Sequence, residues 1–262
     1  MPTRDEHVYK TEGIVLRHAD SGEADRIITL FTPFRGKVRA VAKGARKPAS
    51  KLAGHVEQFT CTSVLVARGR NLDLITQAQT VRSFIEVREN LRLVLYASYA
   101  VELVERSTEW ESENKPLFNL LLRYLSYLAT AQRLETGLRA FELEALEALG
   151  YRPQLDKCVA CGRAMEKETK GFSSSAGGVL CPSCRGREGD QHDIYPSTLE
   201  ALRFLQHGGL EAADRLQMAA VARKQAEALL AVYISDRLEH DIYSANVLRA
   251  LRQQIAVVAP AP

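Results

Sequence analysis

The chain has 262 residues, 46% hydrophobic and 26% charged, and its 35 Lys and Arg against 32 Asp and Glu leave a net charge of +3. These proportions are those of a globular protein and exclude global disorder and collagen-like repeats, while the length suits one large domain or two ordinary ones. No apolar run reaches the ~20 residues that cross a bilayer, since Leu91–Val101 is broken by Arg92 and by tyrosines. The start, MPTRDEHVYK, has neither the apolar core nor the small-residue cleavage site of a signal peptide. The expectation is a soluble, cytoplasmic protein with no membrane partner. Its five cysteines should then be reduced, and their odd number argues against a closed disulfide framework. The distribution of charge says more than its sum. Residues 1–80 carry 13 basic and 8 acidic side chains, residues 81–157 carry 10 and 12, residues 158–190 carry 5 and 4, and residues 191–262 carry 7 and 8. The positive excess sits in the first third, which points to an anionic partner docking there.

Residues 8–82 read as strands: 8–18, 25–32, 37–44, 59–68 and 72–81 are rich in Val, Ile, Thr, Leu and Phe with stretches of period two. Pro33–Gly36 and Gly69–Asn71 are short enough for hairpin connections. Five short strands predict a small barrel, of which the OB-fold is the five-stranded form; an SH3-like barrel has the same periodicity. From Phe84 the pattern changes to apolar spacings of three and four, over 86–107, 117–131 and 135–149. Pro116 stands where a helix would begin and Gly150 where one would stop. A Cys- and Gly-rich interval covers 151–191, and helical spacing resumes over 197–207, about 214–239 and 244–257. Ser197 and Glu200 are spaced as a capping box, and the closing VVAPAP reads as a frayed tail. The expected architecture is α+β and multidomain: an N-terminal barrel (1–82), a helical body in two parts (83–157 and 191–262), and a four-cysteine module inserted at 158–190.

Cys158-Val-Ala-Cys161 and Cys181-Pro-Ser-Cys184 form two C-x2-C turns nineteen residues apart. Each turn brings two sulfurs to one point, and two turns supply the four thiolates of tetrahedral Zn²⁺, with Zn–S near ~2.3 Å. The intervening residues read as a short ribbon turning at Gly177-Gly178. A redox C-x2-C belongs beside a βαβ unit, which this one lacks, and four thiolates leave no open position for a catalytic water. The expectation is one structural zinc per chain, with His192 an unneeded substitute. Cys61 lies in a strand and reads as a small buried hydrophobe.

Between Arg26 and Val56 there is no acidic residue, and Arg35, Lys37, Arg39, Lys43, Arg46, Lys47 and Lys51 crowd the centre of that span. At period two Arg35, Lys37 and Arg39 share one face of a strand, and Lys43 to Lys51 read as a mobile loop leaving it. This pattern fits a surface that tracks phosphates, as OB barrels do; the bland reading is an edge strand protected by cations. Phe34 is placed to stack a base, although a turn aromatic more often packs on its own hairpin. There is no G-x4-GK[ST], no H-E-x2-H and no G-x-S-x-G. Glu23 and Asp25 are a carboxylate pair beside Arg26 with no further acidic cluster in the barrel to help hold Mg²⁺, and Asp25 is better explained by pairing with Arg26 or capping the turn. Tyr96/Tyr99 and Tyr124/Tyr127 are spaced as helical core. No enzyme is expected.

The run EGIVLRHADSGEADRIITLFTPFRGKVRAVAKGARKPAS (12–50) resembles the N-terminal signature of the RecO family of bacterial recombination mediators, and LEALEALGYRPQLDKCVACG (143–162), followed by the second C-x2-C, resembles its C-terminal part. The resemblance covers essentially the whole chain. It implies a nucleoid-associated DNA-repair protein of the RecF pathway that binds single- and double-stranded DNA and anneals complementary strands without ATP. It also implies partnership with RecR, with the acidic tail of single-strand-binding protein through the helical body, and a functional link to RecA. By position, the seven cations would contact DNA and Cys158, Cys161, Cys181 and Cys184 would hold the metal. Arg185 and Arg187 leave open whether the zinc module touches DNA. Two rival readings remain: an adaptor whose barrel takes an acidic protein tail, and a metal-dependent nuclease built on Glu23 and Asp25.

Overall fold

The computed structural model describes residues 7–165, 171–186 and 190–258; Arg187, the first six residues and the last four of the expected tail lie outside them. Two compact units divide the chain, Met1–Ala129 and Thr130–Pro262. Among the described residues no helix is long and apolar enough to cross a membrane.

In the first unit, β1 (Val8–Ser21), β2 (Asp25–Thr32), β3 (Gly36–Ala42), β4 (Cys61–Ala67) and β5 (Asp73–Arg82) close a barrel in the order β1-β2-β3-β5-β4. All neighbours are antiparallel except β3 and β5, which run parallel through Ala40–Asp73 and Val41–Leu74. This closure decides for the OB barrel where periodicity left two folds open. Alternate residues fill it: Val15, Ile28, Leu30, Val38, Ala40, Val64, Val66 and Ile75 are all buried in one core. Strand β2 reads as a continuous apolar run because its outer face is covered too. Phe31 meets Phe118 at 6.1 Å between ring centroids.

Phe118 belongs to α3 (Lys115–Leu128), which follows α1 (Ile85–Arg88) and α2 (Leu91–Ser107). The single helix expected over 86–107 is broken because Asn90 caps a new one, its side chain accepting the N–H groups of Arg92 and Leu93 at 3.0 and 3.4 Å. Asn114 caps α3 in the same way, with Pro116 in the first turn. Tyr96, Tyr99 and Tyr124 are core, as their spacing predicts.

The second unit holds α4 (Leu134–Ala148), a three-stranded ribbon of β6 (Gly171–Ser173), β7 (Gly178–Leu180) and β8 (Gln191–His192), then α5 (Pro196–Ala213), α6 (Ala220–Leu238) and α7 (Tyr243–Val258). Two expectations fail here. The capping box at Ser197 and Glu200 does not form: Tyr195 is the N-cap, with no side-chain cap bond, and its N–H is taken instead by Gln225 Oε1 at 2.9 Å. Helix α5 also runs past Gly208-Gly209 to Ala213. Gly209 leaves helical geometry at φ 58°, but the Glu144 carboxylate accepts the Leu210 N–H at 2.8 Å and restarts the helix. A side chain at Gly209 would collide with that carboxylate, its Cβ falling 2.7 Å from Glu144 Oε1.

Candidate nucleic-acid interface and metal centre

The inner face of β3 fills the barrel with Val38, Ala40 and Ala42, so Lys37 and Arg39 face outward. The turn before β3 depends on Gly36, at φ 56°, where a Cβ would lie 2.0 Å from Ser112 O. That close approach lets the segment between α2 and α3 lie against the start of β3: Trp110 bridges Gly36 and Lys37, and the Glu111 N–H reaches Lys37 O at 3.3 Å. Between them opens a cleft of about 550 Å³ lined by Tyr9, Phe34, Arg35, Lys37, Arg39, Arg68, Asp73, Trp110 and Glu111, among others.

Its cations are arranged by aromatic rings. Tyr9 is buried, and its hydroxyl donates to Asp73 Oδ2 at 2.9 Å. Burial first, then that bond and the Asp73 charge, push the phenol well above its ordinary range, so it stays neutral. Arg35 lies over the Tyr9 ring at 4.2 Å and Arg68 at 5.7 Å, both within cation–π reach. Lys37 is different. It is 7% exposed, and its Nζ donates to Glu105 O at 2.6 Å, one of the last carbonyls of α2, while lying 5.0 Å from the centre of the Trp110 ring. Desolvation holds this ammonium below its usual pKa. Lys37 therefore anchors a helix end.

Of the other predicted cations, Arg39, Lys43, Lys47 and Lys51 are exposed, with no ion-pair partner among the described residues. Arg46 pairs with Asp20 at 3.3 Å and donates to Gly22 O at 3.3 Å. The segment expected as a mobile loop is folded into turns, by Lys47 N–H to Gly44 O and Ser50 N–H to Lys47 O. Asp25 explains the difference: its carboxylate accepts the Gly44 N–H at 2.7 Å. It caps this turn, and Arg26 pairs instead with Glu57 at 2.8 Å and Asp20 at 3.8 Å. Phe34 is not covered by its own hairpin. It is 56% exposed, with Lys115 Nζ 5.1 Å from its ring centre. Sequence reasoning missed Tyr9, Arg68 and Trp110; the one visible signal was a lone tryptophan in the polar run STEWESENK.

The four sulfurs of Cys158, Cys161, Cys181 and Cys184 all lie within 4.8 Å of one another, the only such ligand group among the described residues. Cys161 and Cys181 are 3.8 Å apart, the edge of a tetrahedron with spokes of about 2.3 Å, so the donor set fits a thiophilic ion. Each C-x2-C closes a tight turn, by Gly162 N–H to Cys158 O at 2.8 Å and Cys184 N–H to Cys181 O at 3.0 Å. Burial alone would raise the Cys158 thiol, but backbone N–H groups led by that of Cys181 hold it down at about 6. Hydrogen bonding to Cys181 and desolvation push Cys184 up to about 12. His192 is on β8 outside the group. Cys61 is buried and pushed by desolvation up to about 11, the inert residue its strand position predicts.

The ribbon is braced on α6. Phe172 packs edge-on against Tyr233 with centroids 5.7 Å apart, and Arg237 donates to Ser174 O and Ser175 O at 2.6 and 3.0 Å. Asp190 accepts the hydroxyls of Ser173, Ser174 and Ser175 at 2.7–2.8 Å. Burial works against its charge, but the Ser175 N–H and these hydroxyls hold its carboxyl well below the usual range. Arg185 pairs with Asp193.

Two family models match the chain, one described as Recombination protein O N terminal over residues 7–84 and one as Recombination protein O C terminal over residues 88–245. The chain is 42% identical over 256 residues to a DNA repair protein RecO from Roseiflexus sp., covering 98% of this chain and 90% of the relative. It is 38% identical over 237 residues to the same-named protein of Pelotomaculum thermopropionicum, covering 90% and 92%. With that of Dehalococcoides mccartyi strain BAV1 it shares 37% over 212 residues, covering 81% and 83%.

Proposed function

The chain belongs to the RecO family of DNA repair proteins, and we propose from that premise that it is a non-enzymatic mediator of recombination in the RecF pathway. It binds single- and double-stranded DNA through the barrel of residues 1–82, anneals complementary strands without ATP, and with RecR helps RecA load on DNA coated by single-strand-binding protein, whose acidic tail it engages. It works in the cytoplasm on the nucleoid. The four-cysteine module of 158–190 holds one structural Zn²⁺: four thiolates suit that ion and complete its shell.

The observation that carries this reading is the row of exposed cations, Arg39 on β3 and then Lys43, Lys47 and Lys51, that continues from a cleft already holding Arg35 and Arg68. Annealing needs a surface that neutralises two phosphate backbones while leaving bases free to pair. Three or four phosphate contacts on a single strand give a slope of log K against log salt of about −2 to −3.

The experiment is annealing of two labelled complementary oligonucleotides without ATP, bare and then coated with single-strand-binding protein. Acceleration on both supports the mediator, and acceleration on bare strands alone removes the claim of tail engagement. No acceleration by folded, metal-loaded protein leaves the adaptor reading. Reversing Arg39 and Lys43 to Glu should weaken single-strand binding at least tenfold and flatten the slope by about 1.4; unchanged affinity and slope would remove this surface.

A further inference from the structure

We infer that the cleft at the start of β3 is a stacking platform for unpaired bases, with Trp110 and Phe34 as its contact rings, and that it makes the barrel prefer single-stranded to duplex DNA. The inference rests on the proposed DNA-binding role of the barrel and adds the residues and the form of DNA that this cleft selects.

Two aromatic rings flank one cation-lined opening, and both are left in water: Phe34 is 56% exposed and Trp110 50%. Among the described residues no partner ring offsets the cost of hydrating that apolar area. Each ring is instead held by a cation, Lys37 Nζ at 5.0 Å from the indole and Lys115 Nζ at 5.1 Å from the phenyl. An ammonium occupies one face of a ring and leaves the other available. Trp110 is further fixed by its backbone bridge to Gly36 and Lys37. A pinned ring with an open face loses little freedom when a base stacks on it. Arg35 and Arg68, propped on the buried Tyr9 ring, supply the charge that a passing backbone requires. Two acids share the cleft: Asp73 is committed to Tyr9 and to the Gly69 N–H at 3.2 Å, and Glu111 is a repulsive element lining it with the four cations. A duplex offers this platform only phosphates, because its bases are already stacked on each other. An acidic peptide would use the cations and leave both rings idle.

Trp110 is the chain's one tryptophan, so its emission reports the platform directly. Full-length, metal-loaded protein is titrated with oligo(dT), with an abasic oligomer of equal length, with duplex DNA and with a poly-glutamate peptide. Affinity is read separately, from the anisotropy of a labelled probe. The expected result is quenching by oligo(dT) alone among these probes and at least tenfold weaker binding of the abasic strand, the range expected for loss of a base–aromatic stack. Trp110→Ala and Phe34→Ala should each weaken oligo(dT) several-fold while leaving abasic binding and the melting temperature unchanged, and Trp110→Phe should restore most of the loss. Equal binding of oligo(dT) and abasic strands overturns the platform and leaves the DNA-binding role intact, and equal quenching by duplex overturns the single-strand preference. If no nucleic acid binds, or poly-glutamate alone quenches, the proposed function falls and this inference with it.

Discussion

The two candidate sites are built on opposite principles. The cysteine cluster is closed on three of its four donors: Cys158, Cys181 and Cys184 are all at or below 5% exposed and Cys161 alone of the four is exposed, the turns are tied by backbone bonds, and the ribbon behind them is clamped to α6 by Phe172 and Arg237. The cleft beside β3 is open, with rings and guanidinium groups held in place yet left in water. A closed set of four matching donors completes an ion's shell and can only brace the fold. An open site with pinned but unsatisfied groups is arranged for something that arrives and leaves. The difference also predicts how each site breaks: the cluster by loss of a local ligand, the cleft by a shift in charge or stacking with the fold intact.

The largest effect should come from Cys181→Ser. Replacing one of four thiolates weakens the metal by more than the ~10–100-fold that changes in outer-shell partners cost. The check is metal content after dialysis against a graded chelator: the parent chain should keep one equivalent where the variant keeps none. Undiminished retention would mean that the four sulfurs do not act together. Next is Phe172→Ala, which removes the buried ring between ribbon and α6; core truncations of this kind cost about 3–5 kcal/mol. Denaturant unfolding should show that loss, and oligonucleotide binding by the barrel should not change.

The closed site was legible because its geometry is local. Two residues between cysteines dictate a turn, and the ribbon between the turns is signalled by Gly177-Gly178. The barrel strands were legible for the same reason, through their period of two. The cleft was not, because its parts come from four distant places: Tyr9 on β1, Arg35 before β3, Arg68 after β4 and Trp110 between helices. Nothing at any one of these positions signals the others. Charge counting likewise grouped seven cations, and could not show that Lys37 would be drawn into the end of α2 by Glu105 O or that Arg46 would be met by Asp20. The end of helical spacing expected at 207 failed for a related reason, since the Glu144 carboxylate that restarts α5 after Gly208-Gly209 is 66 residues away along the chain.

A smaller effect tests the clamp of the closed site through pH. The folded carboxyl of Asp190 lies below its unfolded value near ~3.9, so its contribution is complete above that value and is lost as pH falls through the folded one. Asp190→Asn should therefore cost on the order of 1 kcal/mol at pH 7, after allowance for solvent screening of a partly exposed group. The gap between the two proteins in denaturant unfolding should narrow below about pH 4. A gap that stays constant down to pH 3 would show that the serine hydroxyls do not prefer the ionised form.

The smallest effect belongs to the open site and has the opposite sign. Glu111 lines the cleft together with Arg35, Arg39 and Arg68, where it repels any phosphate that approaches. Glu111→Gln removes that repulsion without removing a cation, a ring or the Glu111 N–H bond to Lys37 O. Single-strand affinity should rise about two- to threefold in 50 mM salt and by less in 200 mM, because an exposed charge is screened over a Debye length of ~10 Å at 0.1 M. Metal retention should be untouched. Anisotropy titrations at the two salt concentrations decide it: a gain that vanishes with salt places the strand within reach of this carboxylate, whereas no gain at low salt would move the DNA path off the cleft and onto the Lys43–Lys51 turns alone.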